Sequence, residues 1–184
     1  MVTIQFCGGA QYVTGANYLI DNGQIKFLVD CGLIQGSSEA DELNYRPFPY
    51  DPAEVDFLIA THTHIDHIGR IPKLTKDGFR GKIFSTYPTK EFSEISMRDT
   101  VSIMEHDSEQ APLFGYEDVD QAMDLWTARE YHEIYEVNEH VSFRFRDAGH
   151  ILGSAITEMW VLDTETGKRI KLVFSGDWAI VPLF

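Results

Sequence analysis

Val55-Asp56-Phe57-Leu58-Ile59-Ala60-Thr61-His62-Thr63-His64-Ile65-Asp66-His67-Ile68-Gly69-Arg70 joins an apolar run to three histidines within six residues. Val55 to Ala60 reads as a buried strand that delivers the polar cluster at its C-terminal end. On an extended chain alternate side chains share one side, so His62 and His64 can reach a single cation. Asp66 and His67 lie past the bend and face a neighbouring position. Neutral imidazole and carboxylate are the donors of zinc centres that keep a position open for water, and the mixed nitrogen and oxygen set also admits manganese or iron. Beyond the cluster Ile68, Ile71 and Leu74 recur at helical spacing, and Pro72 is tolerated if the helix starts near Gly69. A strand, loop, helix unit with ligands at its turn is therefore expected.

Two later segments repeat the theme of a polar residue at a strand end among small neighbours. In Asp147-Ala148-Gly149-His150-Ile151-Leu152-Gly153-Ser154-Ala155 the glycines let the backbone approach closely and aim His150 inward. In Phe174-Ser175-Gly176-Asp177 the carboxylate follows an apolar run and has two oxygens with which to bridge two cations. Asp30, in Leu28-Val29-Asp30-Cys31-Gly32, is an acid at a strand end suited to orienting a ligating histidine from behind. His106, His132 and His140 share no such pattern and read as surface or structural residues.

Further out, Thr3 to Phe6, Asn17 to Ile20 and Ile25 to Val29 read as short strands, the last two joined by the turn signal Asp21-Asn22-Gly23. Asn44 to Pro52 reads as irregular. Ile83 to Thr86 is a further strand, and helices are expected from Pro88 to about Met104 and from about Asp118 to Arg129. Ala111 to Tyr116 reads as a loop whose apolar residues pack inward. Tyr131 to Val137, Val141 to Arg146, Ala155 to Leu162 and Ile170 to Phe174 alternate like strands, with Asp163 to Gly167 as a hairpin connection.

The 184 residues, 43% hydrophobic and 12% aromatic, suit one compact domain, and no stretch approaches the roughly 20 apolar residues of a membrane span. No secretory signal opens the chain, so a cytoplasmic location without membrane contact is expected. Cys7 and Cys31 are too few for a disulfide scaffold and read as buried free thiols. Fifteen Lys and Arg against 29 Asp and Glu give a formal charge of −14, which repels a polyanion at long range. Bound divalent cations would return positive charge where a phosphate must sit.

In this order the segments resemble the metallo-β-lactamase superfamily, whose hallmark is His-x-His-x-Asp-His, then a distant His, then an Asp. The flanks Phe6-Cys7-Gly8-Gly9-Ala10, Val13-Thr14-Gly15, Ile68-Gly69-Arg70-Ile71-Pro72-Lys73-Leu74 and Gly149 to Ala155 are similar to those of its β-CASP branch of RNA-processing nucleases. The resemblance implies an α/β fold, the αβ/βα sandwich, with metals at one edge between two sheets. It implies that His62, His64 and His150 hold one cation and Asp66 and His67 the other, with Asp177 bridging. Two divalent ions, zinc first, are the implied cofactors, with the second position weaker.

β-CASP enzymes also carry an inserted domain and a later segment with further histidines, which the present 184 residues do not match. The expectation is thus one metallo-β-lactamase-like domain over residues 1–184, incomplete at its C-terminal end. The implied activity is cleavage of RNA phosphodiesters by a metal-activated water, with Asp66 orienting or deprotonating that water, impaired in so short a chain. A non-catalytic metal-binding module and a hydrolase of another ester class are the alternatives. The apolar stretch Trp178 to Phe184 leads us to expect a homodimer.

Overall fold

The computed structural model describes residues 1–10, 13–36, 38–107 and 111–179. Three short strands open the chain, β1 (Thr3–Gly8), β2 (Asn17–Asp21) and β3 (Lys26–Val29), paired antiparallel as the turn signals require. The helix α1 (Ser38–Tyr45) and a 3-10 turn at Pro52–Glu54 lead into β4 (Phe57–Ile59), which runs parallel to β3. Two short helices, α2 (Ile65–Ile68) and α3 (Ile71–Lys76), are followed by β5 (Lys82–Ser85), the long α4 (Tyr87–Asp107), α5 (Tyr116–Asp124) and β6 (Trp126–Ala128). These six strands form one sheet in sequence order. A second, antiparallel sheet in the order β10-β9-β8-β7 is made of β7 (Tyr135–Glu136), β8 (Val141–Asp147), β9 (Ala155–Leu162) and β10 (Arg169–Phe174).

Strand alternation divides the apolar residues between two cores. Leu28, Leu58 and Ile83 leave one face of the first sheet and pack with Ile71, Leu74, Met97, Val101 and Phe114 of the helical side. Phe27, Val29, Phe57, Ile59 and Phe84 leave the other face and meet Val141, Phe143, Phe145, Met159 and Val161 of the second sheet. Phe27 and Phe57 stack at 4.6 Å, and Phe84 meets Phe143 across the sheets at 5.4 Å. Helices, sheet and facing sheet thus give three of the four layers of the αβ/βα sandwich among the described residues. The outward face of the second sheet carries Arg144, Arg146, Glu158, Trp160 and Lys171, in alternation with its buried residues.

Several sequence expectations need correction. The helix expected from Asp118 to Arg129 stops at Asp124, because Trp126 to Ala128 pair with Ile83 to Ser85 and the Trp126 indole donates to Ser85 Oγ. The helix expected near Gly69 is α3, which starts at Ile71 with Pro72 in its first turn; a further short helix, α2, precedes it and carries Asp66 and His67. In place of a continuous strand from Tyr131 to Val137, only Tyr135–Glu136 pairs regularly, since His132 turns the chain at a φ of +68°. Asn44 and Tyr45 end a helix, although Asn44 to Pro52 reads as irregular. Leu113 and Phe114 are buried, as expected of packing residues. Cys31 is buried but Cys7 only half so; both thiols are free, and burial pushes them up to about 12 and about 11.

Among the described residues, no helix is long and apolar enough to cross a membrane. Of the apolar stretch that suggested self-association, 180–184 lie outside the described residues.

Candidate metal centre

The centre stands where the first sheet's strand β4 ends. Past Ile59 the chain stays extended through His62, then turns into α2, with His64 at the position before the first helical residue. His64 makes no side-chain cap there; its carbonyl accepts from the N–H groups of His67 and Ile68, and its ring turns to the cluster. His62 Nε2 and His150 Nε2 each lie 3.1 Å from His64 Nδ1. His150 comes from the loop between β8 and β9, on the second sheet. There Ser154 Oγ accepts from the N–H groups of His150 and Ile151, and the Gly153 carbonyl accepts from the hydroxyls of Thr86 and Thr89 at the head of α4. A side chain at Gly153 would strike the Thr89 backbone nitrogen at 2.7 Å, which is the close approach read from the sequence.

Asp177 follows β10 and lies between the two halves of the centre. Its Oδ2 is 3.6 Å from His150 Nε2 and 3.9 Å from His62 Nε2, and its Oδ1 is 3.5 Å from His67 Nε2. Asp66 Oδ2 is 3.9 Å from the same His67 nitrogen. Donor atoms of His62, His64, His150 and Asp177 all fall within 4.8 Å of one another. Donors about 2.1 Å from a tetrahedral centre stand roughly 3.4 Å apart, so this spacing fits one cation. Asp66 and His67 do not join that group of four; Asp177 connects His67 to it, and Asp66 lies beside His67.

Behind the rings, a buried network sets which nitrogen faces the centre. Asp30, 1% exposed, accepts from the Thr61 N–H (2.8 Å), the Thr61 hydroxyl (2.9 Å) and His67 Nδ1 (2.7 Å). The single hydroxyl proton of Thr61 is spent on Asp30, so its oxygen accepts from His62 Nδ1–H at 3.0 Å, which leaves the bare Nε2 of His62 turned inward. Asp30 itself holds a φ of +58°, a left-handed conformation that Asp tolerates better than most residues. Gly176 covers Thr61 at a φ of +53°, where a Cβ would come 2.8 Å from the hydroxyl.

Burial, together with neighbouring His67, lowers His62 to about 3, so its ring is neutral and ready to ligate. Burial also opposes charge on His67, but Asp30, then Asp66 and Asp177, overcome it and raise His67 to about 9. A cation and a proton therefore compete for His67 Nε2. Asp30, expected from the sequence behind a ligating histidine, lies 2.7 Å from His67 Nδ1, while Thr61 and Ser154 carried no expected role. The signal for Thr61 was a hydroxyl immediately before the first histidine of the cluster.

A model of the metallo-beta-lactamase superfamily domain matches residues 19–179. The chain belongs to this superfamily. Ribonuclease TTHA0252 of Thermus thermophilus is 39% identical over 170 residues, covering 92% of this chain and 36% of that protein. Transcription termination factor FttA of Methanosarcina mazei is 30% identical, covering 96% of this chain and 27% of that protein. The chain thus spans about a third of the length of these relatives, both named for work on RNA or its synthesis, as the resemblance to the β-CASP branch implies. In fold it is similar to a B3 metallo-beta-lactamase with an active-site glutamic acid, at a TM-score of 0.56 and 19% identity over 93% of this chain and 58% of that one. The superfamily fold and the His and Asp donor group together make this a divalent-metal site.

Proposed function

We propose that this metallo-β-lactamase-like domain, residues 1–184, holds two divalent cations, zinc by preference, and hydrolyses RNA phosphodiesters. The observation that carries the reading is the split donor set shared through Asp177. His62, His64, His150 and Asp177 Oδ2 would hold the first cation; Asp66, His67 and Asp177 Oδ1 would hold the second, more weakly because one donor fewer is available. Such cations supply Lewis acidity towards a phosphoryl oxygen and make a water easier to deprotonate near neutral pH. Asp66, with its side chain 21% exposed, orients that water and accepts its proton. The water oxygen bonds to phosphorus as the bond to the leaving ribose oxygen breaks. Asp30 and Thr61 keep His67 and His62 in the ligating tautomer throughout.

RNA as the substrate is supported by the ribonuclease among the relatives. The chain's charge of −14 repels RNA at long range, which leaves local attraction to the cations. A homodimer belongs to the same reading, supported by exposed Phe6, Val173 and Trp178. The test pairs elemental analysis with turnover on single-stranded RNA. His62→Ala with His64→Ala should strip the first cation, and Asp66→Ala with His67→Ala should abolish cleavage that the parent chain shows. Unchanged metal content in the first variant would refute the site, and equal background in the second would leave metal binding without catalysis.

A further inference from the structure

Away from the metal centre, the sandwich has a second lateral mouth where the edge strands β6 and β7 face each other. It holds a cavity of about 400 Å³, within the usual range for small-molecule sites, and none of its lining residues is a metal-centre residue. Three cations line it, Arg80, Lys82 and Arg129, in a chain that carries nearly twice as many acids as bases.

Arg129 extends β6 by one residue, its N–H donating to the Ser85 carbonyl. Its guanidinium spans the gap between the sheets, 5.8 Å from the Phe84 ring on one and 4.9 Å from the Tyr135 ring on the other. Tyr135 is fixed in turn, its hydroxyl accepting from the Glu130 N–H and donating to Glu133. The Arg129 Nε is buried and has no hydrogen-bond partner. A buried donor without an acceptor is costly, and the Nε edge of a guanidinium is the one that pairs side-on with a phosphate or carboxylate. Arg80 is held by donation from Nη1 to the carbonyls of Thr75 and Phe79, with its other N–H groups still to be used. Among the described residues, none of the three cations forms an ion pair. Asp56 and Glu136 also line the cavity and offer acceptors suited to sugar hydroxyls.

We propose that this mouth binds a nucleoside monophosphate, with its phosphate on Arg129, Arg80 and Lys82 and its base against Tyr135 where that ring lines the cavity. A bare anion would leave the aromatic side unused, and an uncharged nucleoside would leave the Nε edge unpaired. The site stands independently of the metal-dependent reaction.

Calorimetric titration of the chelator-treated full chain with AMP, inorganic phosphate and adenosine tests it. AMP should bind saturably and at least about tenfold more tightly than either part alone, since a charge-assisted bidentate contact is of that order. Arg129→Gln should weaken AMP by about tenfold. Lys82→Gln, at an exposed position where folding is not at stake, should weaken it by several-fold on the same grounds. His62→Ala with His64→Ala should leave AMP binding unchanged. No saturable AMP binding, phosphate binding as tightly as AMP, or AMP binding lost with the two histidines and kept without Lys82 would each overturn the proposal.

Discussion

His67 and Thr61 share one oxygen of Asp30: Oδ2 accepts from His67 Nδ1 at 2.7 Å and from the Thr61 hydroxyl at 2.9 Å. One buried carboxylate thereby orients a ring in each half of the metal centre, directly for His67 and through Thr61 for His62. Asp30→Asn keeps the size and the tolerance of positive φ but loses the charge. Metal affinity should fall by about 10–100-fold, the usual cost of removing a partner behind a ligand. Zinc titration with a competing chelator measures it, and a thermal melt of the metal-free form checks that the fold survives.

Thr61→Val separates the two halves. It keeps the branched shape but removes the acceptor for His62 Nδ1–H, so the first cation should weaken by about tenfold while His67 keeps its partner. Thr61→Ser should restore most of the affinity. Equal affinity in the Val and Ser variants would show that the hydroxyl does not fix the tautomer.

Gly176→Ala probes the contact from the other sheet. The new Cβ would press on the Thr61 hydroxyl from 2.8 Å, and the φ of +53° adds about 1–2 kcal/mol of backbone strain. Loss of stability in urea should accompany loss of metal, because the same movement that relieves the clash displaces both Thr61 and Asp177.

Acid should weaken the second sheet through Glu158, which Lys171, with further help from Arg144 and Arg146, holds at about 2 despite its desolvation. Arg144 and Lys171 also lie over the Trp160 ring at 5.4 and 5.5 Å. A carboxylate with a depressed folded pKa contributes stability above its unfolded value, near 4.5, and loses it as pH falls through that value towards 2. Glu158→Gln should therefore cost more stability at pH 6 than at pH 3, as urea unfolding at the two pH values would show. A cost independent of pH would mean that Glu158 acts through packing alone.

Much of the centre was legible because ligands fall at strand ends, where alternation and bends dictate which way side chains face. His62, His64, Asp66 and His67 could be placed on a turn from Val55 to Ala60 alone. The helix α1 escaped notice because it docks through a polar residue: buried Asn44 accepts from the Ile34 N–H and donates to the Ile34 carbonyl, so no apolar stripe marks it. Trp126 misled in the opposite way. Val119, Ala122 and Trp126 sit at helical spacing, yet edge pairing with Ile83 outweighs that periodicity. The cavity at Arg129 could not be read at all, since its cations come from residues 80, 82 and 129 and meet only when β6 pairs with β5.

The ligands proposed for the first cation are drawn from both sheets, His62 and His64 from one and His150 and Asp177 from the other. A cation held there would be a clasp between two layers otherwise joined by side-chain packing and a few hydrogen bonds, such as that from the Ala155 N–H to the Thr61 carbonyl, and it would close a chain loop running from residue 62 to residue 177. Saturation at 100 times the dissociation constant would add about 2.7 kcal/mol to the folded state. That is a large share of the stability of a small domain, so thermal resistance becomes a gauge of metal supply. Without its cation the chain would be held in a looser form, more open to proteases along the seam.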